Sequence, residues 1–192
     1  GTAEHYAKRA AELGQSALAL TDHGSLAGAL YHVNACEEHG IKPIIGAEMY
    51  FTVDALTHDK DHKRFHLVLL AKNEEGFRNL MRLSSLSWQP ENFYYKPCID
   101  WRLLRQYSEG LIASSSCMSG IIPRAILAGD DEGAIKYLNT MQDIFGDDFY
   151  LELHPHDDDG QRRVNKALLS FFRDSDIPIV AANDAHYPFK EW

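Results

Sequence analysis

Residues 17–24 read Ala17-Leu18-Ala19-Leu20-Thr21-Asp22-His23-Gly24, four apolar residues followed by three polar side chains and a glycine. A short apolar run halted by polar residues predicts a strand entering a loop. Behind it Leu26, Leu30 and Val33 recur at helical spacing as far as Gly40, so the unit is strand, loop, helix. Upstream, Tyr6, Ala10 and Leu13 predict a helix over 3–13, capped by Thr2 and ended by Gly14. Downstream, strands at 43–51 and 65–70 enclose a polar loop near 54–64. A helix over 74–86 follows, with Phe77, Leu80, Met81 and Ser84 on one face and Glu74 paired to Arg78. The segment 87–99, with two prolines and an aromatic cluster, predicts loop. Further helices fall at 100–107, at 119–128, after Asp130 (Ala134, Tyr137, Leu138, Met141, Phe145) and around Val164, Leu168, Phe171 and Phe172. Strands fall at 111–114, 149–153 and 177–182. Strands alternating with helices imply an α/β fold with a mainly parallel sheet, open or closed into a barrel.

Composition limits what such a domain does. The 192 residues are 45% hydrophobic and 24% charged, which suits one packed domain. No apolar run approaches the ~20 residues of a membrane span, so no membrane partner is expected. With 28 acidic against 19 basic residues the net charge is -9, which argues against a broad basic face for nucleic acid and leaves room for a small metal-lined pocket. Cys36, Cys98 and Cys117 form no C-x-x-C pair, which fits a reducing, cytoplasmic location. Ten histidines are the compositional oddity, since imidazole is the commonest transition-metal ligand.

In a parallel α/β sheet, chemistry gathers at the carboxyl ends of the strands. Asp22 and His23 follow the first strand, Glu48 lies within or at the end of the next, Cys117 follows 111–114, and Asp184 and His186 follow the last. His66 begins its strand instead. An antiparallel hairpin between 65–70 and the strand of Glu48 would bring it to the same rim. Carboxylate, imidazole and one thiolate together suit zinc, manganese or iron, and several such ions suit phosphate ester hydrolysis. Asp22 serves equally well as a cap for the helix behind it, although His23 beside it favours a site. Cys117 alone would be an ordinary small buried thiol. A carboxylate inside an apolar strand, as at Glu48, demands a partner. Asp184 and His186, two apart, would face the same way on an extended segment.

The remaining histidines carry no ligand assignment. His154 and His156 precede Asp157–Asp159, which read as the solvated start of a helix, so structural or substrate-lining roles are expected for both. His39 ends a helix, His5 and His32 are expected on helix surfaces, and His58 and His62 in the loop.

Several stretches together resemble a known family. Thr21-Asp-His-Gly, Gly40-Ile-Lys-Pro-Ile-Ile-Gly-Ala-Glu48, His66-Leu-Val-Leu-Leu-Ala-Lys-Asn-Glu-Glu-Gly, Phe145-Gly-Asp-Asp-Phe-Tyr-Leu-Glu-Leu and Asn183-Asp-Ala-His-Tyr187 are similar to the PHP (polymerase and histidinol phosphatase) domain of bacterial DNA polymerase III alpha subunits, over nearly the whole chain. The resemblance implies a distorted seven-stranded (β/α) barrel with up to three divalent metals at one rim. It places the metal ligands on His23, Glu48, His66, Cys117, Asp184 and His186; Asp22, His23 and Asp184 are the residues expected to be catalytic. The family opens with a strand bearing an H-x-H pair and a later aspartate, whereas this sequence starts at the following helix. Residues 1–192 are therefore expected to be an excerpt of a longer polymerase chain, lacking its first strand and inactive in isolation.

Three functions compete. In the intact DNA-directed DNA polymerase the domain would be a metal-dependent 3′ to 5′ exonuclease acting on the DNA 3′ end. Alternatively it would be an inert module that stabilises the polymerase and docks a separate proofreading exonuclease or other replisome subunits. A small-molecule phosphoesterase of histidinol phosphatase type fits least, because residues 66–85 and 145–165 resemble the polymerase branch.

Overall fold

The computed structural model describes residues 1–58 and 63–189; His62 lies outside them. Seven α-helices cover a curled eight-stranded sheet among the described residues. The elements in chain order are α1 (Ala3–Glu12), β1 (Ala17–Leu20), α2 (Ala29–Glu38), β2 (Lys42–Phe51), β3 (Phe65–Ala71), α3 (Glu74–Ser87), β4 (Phe93–Tyr94), β5 (Lys96–Ile99), α4 (Trp101–Tyr107), β6 (Leu111–Ser114), α5 (Ile121–Ala128), α6 (Asp131–Phe145), β7 (Phe149–Leu153), α7 (Asp159–Asp174) and β8 (Ile179–Ala181).

The ten-residue β2 organises the sheet. Along one edge its first half pairs parallel with β1 and its last two residues pair parallel with β5. Its other edge pairs antiparallel with β3, as the expected hairpin, and the sheet continues through β6, β7 and β8. Gly46 marks where three strands crowd: a Cβ there would lie 2.4 Å from Leu70 Cδ2 and 2.6 Å from the Leu69 carbonyl.

Strand alternation separates two faces. Ala47, Met49 and Phe51 of β2, Leu67 and Leu69 of β3, Leu111 and Ala113 of β6, and Phe149 and Leu151 of β7 enter the hydrophobic core beneath α3 to α7. The intervening residues Glu48, Val68, Leu70, Ile112, Ser114, Tyr150 and Glu152 line a cavity of about 1590 Å³ on the concave side. One face of each strand thus stabilises the domain while the other is free to carry chemistry.

Three local expectations are corrected. Segment 87–99 contains β4 and β5, joined by Phe93↔Pro97 and Tyr94↔Lys96 pairing, rather than loop alone. The ladder is short and proline-bearing, and therefore carries almost no periodic signal. On α2 the inward face is His32, Ala35 and Cys36, while Leu30 is 69% exposed. His32, expected on the surface, is buried, its Nε2 2.9 Å from the Leu18 carbonyl oxygen. On α3, Met81 points outward and Asn79 inward, because Asn79 Nδ2 donates to the Glu109 carbonyl at 2.9 Å and is satisfied there. The caps follow the sequence more closely: Asp130 caps α6, and buried Asp100 both caps α4 through Leu103 N and accepts from Ala55 N.

Candidate metal centre

Backbone pairing aims the central residues at one another. Beyond β1 the chain stays beside β2 through a parallel bridge between His23 and Glu48, with Glu48 N donating to the Asp22 carbonyl at 3.0 Å and Gly24 N to the Glu48 carbonyl at 2.9 Å. Gly24 then turns the chain with φ +59°, where a Cβ would meet Pro97 at 3.1 Å and Tyr50 at 3.4 Å. Across the hairpin, His66 stands opposite Tyr50, on the same face as Glu48. His66 N also donates to the Ser119 carbonyl at 3.0 Å, which draws in the loop carrying Ser116 and Cys117.

Four ligand-capable side chains converge. His23 Nδ1 lies 3.4 Å from Glu48 Oε2, and His66 Nδ1 lies 2.7 Å from Glu48 Oε1. Cys117 Sγ lies 3.6 Å from His66 Nδ1 and 3.8 Å from Glu48 Oε1. Ligand atoms of His23, Glu48 and His66 all fall within 4.8 Å of one another. Bonds of roughly 2.0–2.3 Å in a tetrahedral site separate neighbouring ligand atoms by about 3.3–3.8 Å, so these spacings fit a divalent ion. The His66–Glu48 pair, at hydrogen-bond length, would have to open slightly. Ser116 Oγ donates to Glu48 Oε1 at 3.3 Å and orients the carboxylate.

The charges of these side chains reinforce one another. Burial raises the Glu48 pKa, but hydrogen bonding to His66 and the charges of His66 and His23 outweigh it, and the carboxyl titrates below its ordinary range. Hydrogen bonds to Cys117 and Glu48 push His66 up to about 10 against the opposing effect of burial. Because the folded value of His66 exceeds the unfolded 6.5, its contribution to stability is fully present below 6.5 and lost as pH rises through about 10. Glu48 contributes above its unfolded 4.5 and loses that contribution as pH falls. Metal-free protein is therefore expected to lose urea resistance between about pH 6.5 and 10. A flat urea midpoint across that range would contradict the pairing.

The other predicted residues reach the same cavity by different routes. Asp22 lines it but caps no helix, since α2 is preceded by Gly28 with no side-chain cap. Asp184 and His186 line it from the loop after β8, outside the group formed by His23, Glu48 and His66. That loop is not extended: Asp184 sits at φ +49°, and His186 Nδ1 lies 2.8 Å from the Asp184 carbonyl and 3.6 Å from its Oδ1. Tyr6 Oη donates to the His186 carbonyl at 2.6 Å and ties the loop to α1.

Sequence reasoning missed a second polar group on this wall. Ser114 Oγ donates to Glu152, whose Oε1 lies 3.1 Å from His154 Nε2, and both Glu152 and His154 are buried. The available signal was an acid inside an apolar strand, the same one that singled out Glu48. His154, for which a structural or substrate-lining role is expected, lines the cavity.

The model of the PHP domain matches residues 1–156. Curated DNA polymerase III alpha subunits from Borreliella burgdorferi, Treponema pallidum and Aquifex aeolicus are 44%, 41% and 39% identical to the chain over 94–96% of its length. The chain spans about 16% of the length of these relatives. Among solved structures, a protein from Bifidobacterium adolescentis assigned as a metal-dependent phosphoesterase superposes with a TM-score of 0.58 at 16% identity, over 97% of this chain and 83% of that one. Among the described residues, no helix is long and apolar enough to cross a membrane. The match over most of the chain, on a curled α/β sheet with a His/Glu/His group at its concave face, makes this protein a member of the PHP domain family.

Proposed function

We propose that this chain is the PHP domain of a cytoplasmic replicative DNA polymerase, part of a longer chain, and that it hydrolyses phosphodiester bonds at DNA 3′ ends. The observation that carries the reading is the convergence of His23, Glu48 and His66 from three separate segments onto one point of the concave wall, with Cys117 against Glu48 and His66. A structural domain has no need to bury a carboxylate between two imidazoles and a thiol. Divalent zinc, manganese or iron bound there would supply Lewis-acid charge to a phosphodiester and lower the pKa of an attacking water. Glu48 and His66 hold the ion, Ser116 fixes the carboxylate, and His23 and Cys117 close the set. Asp22, Asp184 and His186 face the same cavity and are assigned to complete the site for up to three ions.

The second reading, an inert module that docks a proofreading exonuclease, is favoured by the separation of Asp184 and His186 from the group around Glu48. Metal analysis and 3′-end degradation by the full-length protein, before and after chelation and with Asp184→Asn, distinguish the two. Chelation is expected to abolish degradation and the substitution to lower it at least about 100-fold. Metal-free purified protein, or degradation indifferent to both treatments, favours the docking module.

A further inference from the structure

The aromatic-rich segment 87–99 packs behind the metal centre, with Pro97 and Trp88 against Gly24. Tyr95 occupies the tip of the β4–β5 turn at φ +58°, a left-handed conformation that costs a bulky residue energy and that glycine or asparagine adopts more readily. It is nevertheless 77% exposed, so the strain serves no burial. Trp88 and Phe93 stack on each other at 5.6 Å and are 57% and 37% exposed. Such an exposed aromatic cluster marks an interaction surface.

Its chemistry is specific. In a chain of net charge -9, two cations are set here against aromatic rings: Arg64 lies 5.7 Å from the Tyr94 ring centre and 5.9 Å from that of Tyr95, and Lys96 Nζ lies 5.1 Å from that of Tyr50. Arg64 Nη2 donates to the Tyr94 carbonyl at 2.9 Å, which holds the guanidinium against the rings, and Glu91 is an exposed acid of the same segment. The surface also contacts residues of the site. Tyr50 is 5.7 Å from both His23 and His66, ring to ring, and Trp88 Nε1 donates to the carbonyl of Gly24, next to His23, at 3.3 Å. Exposed rings with interleaved cations are the arrangement that holds unpaired bases by stacking while screening their phosphates.

We propose that Trp88, Phe93 and Tyr95, with Arg64 and Lys96, form a stacking platform for the unpaired 3′-terminal bases of a DNA strand. The platform delivers the terminal phosphodiester to the His23–Glu48–His66 group and so deepens the hydrolytic reading on which it rests. A protein partner with an apolar face would use the exposed rings but has no need of the cations set against Tyr50, Tyr94 and Tyr95.

The test uses the full-length protein and a single-stranded DNA of about 8 nucleotides carrying 5-iodouracil near its 3′ end, photo-crosslinked and mapped by mass spectrometry. Crosslinks are expected on Trp88, Phe93 or Tyr95. Tyr95→Ala is expected to reduce them and to raise KM for degradation about 10-fold, more for the long strand than for a dinucleotide, with Tyr95→Phe restoring both. Crosslinks confined to other parts of the protein, or a KM indifferent to Tyr95→Ala, overturn the platform. Crosslinks on these rings in a protein that degrades no strand with any metal uphold the platform and overturn the hydrolytic reading alone.

Discussion

Glu48→Gln in the full-length protein is expected to lower metal affinity by more than about 100-fold, beyond the 10–100-fold cost of losing an outer-shell partner. Degradation of DNA 3′ ends should fall with it. The substitution conserves volume on a side chain that is 8% exposed, so packing is preserved and charge alone is removed. What goes is the one anion shared by His23 at 3.4 Å and His66 at 2.7 Å. An amide supplies a neutral oxygen in place of a carboxylate, and its NH2 has no acceptor in imidazolium. The same substitution removes one of the two hydrogen bonds that hold His66 near 10, so the His66 ring should titrate lower, visible as a shifted NMR titration. The loss of a charge-assisted hydrogen bond should also destabilise metal-free protein by about 1.5–3 kcal/mol near neutral pH. Unchanged metal content would remove Glu48 from the centre, and an unmoved His66 titration would show that Cys117 alone holds the imidazolium.

The signals that led to Glu48 explain what else the sequence disclosed. Strands β1, β2, β3, β6 and β7 each carry an apolar run between turn residues, so their existence and order were readable, and β8 was readable apart from its ends. Glu48 stood out as a charge in an apolar run, and His66 followed from the hairpin, now seen in the Tyr50↔His66 register. Three kinds of feature were not readable. Short ladders such as β4–β5 have too few residues for a period. The rotation of a helix about its axis depends on what it meets, which is why His32 turned inward to the Leu18 carbonyl while Leu30 turned out. The conformation of the loop after β8 depends on a tertiary hydrogen bond from Tyr6, and no local pattern announces that Asp184 adopts φ +49°. The Glu152–His154 pair was legible in principle, since Glu152 interrupts an apolar strand as Glu48 does. The acids Asp157–Asp159 beside it give the stronger local pattern, that of a helix start.

Phe51→Ala is expected to have the opposite profile from Glu48→Gln. Phe51 is fully buried at the end of β2, opposite Phe65 of β3 and Ile99 of β5, with its ring edge-on to Trp101 at 4.6 Å and 72°. Truncation removes the transfer free energy of the ring and leaves a cavity, together costing about 3–5 kcal/mol. Loss of the edge-to-face pair is included in that range rather than added to it. Against a typical domain stability of about 5–15 kcal/mol the loss is large, and it should appear in the full-length protein as faster amide exchange across β2, β3 and β5. Because successive strand residues point to opposite faces, Phe51 is on the core side while Glu48 is on the cavity side. Metal affinity should therefore fall far less than in Glu48→Gln, even though the domain is weakened more. If Phe51→Ala instead strips the metal while amide exchange in β2 stays slow, the ligand face depends on the core packing behind it, and the separation of the two faces is wrong.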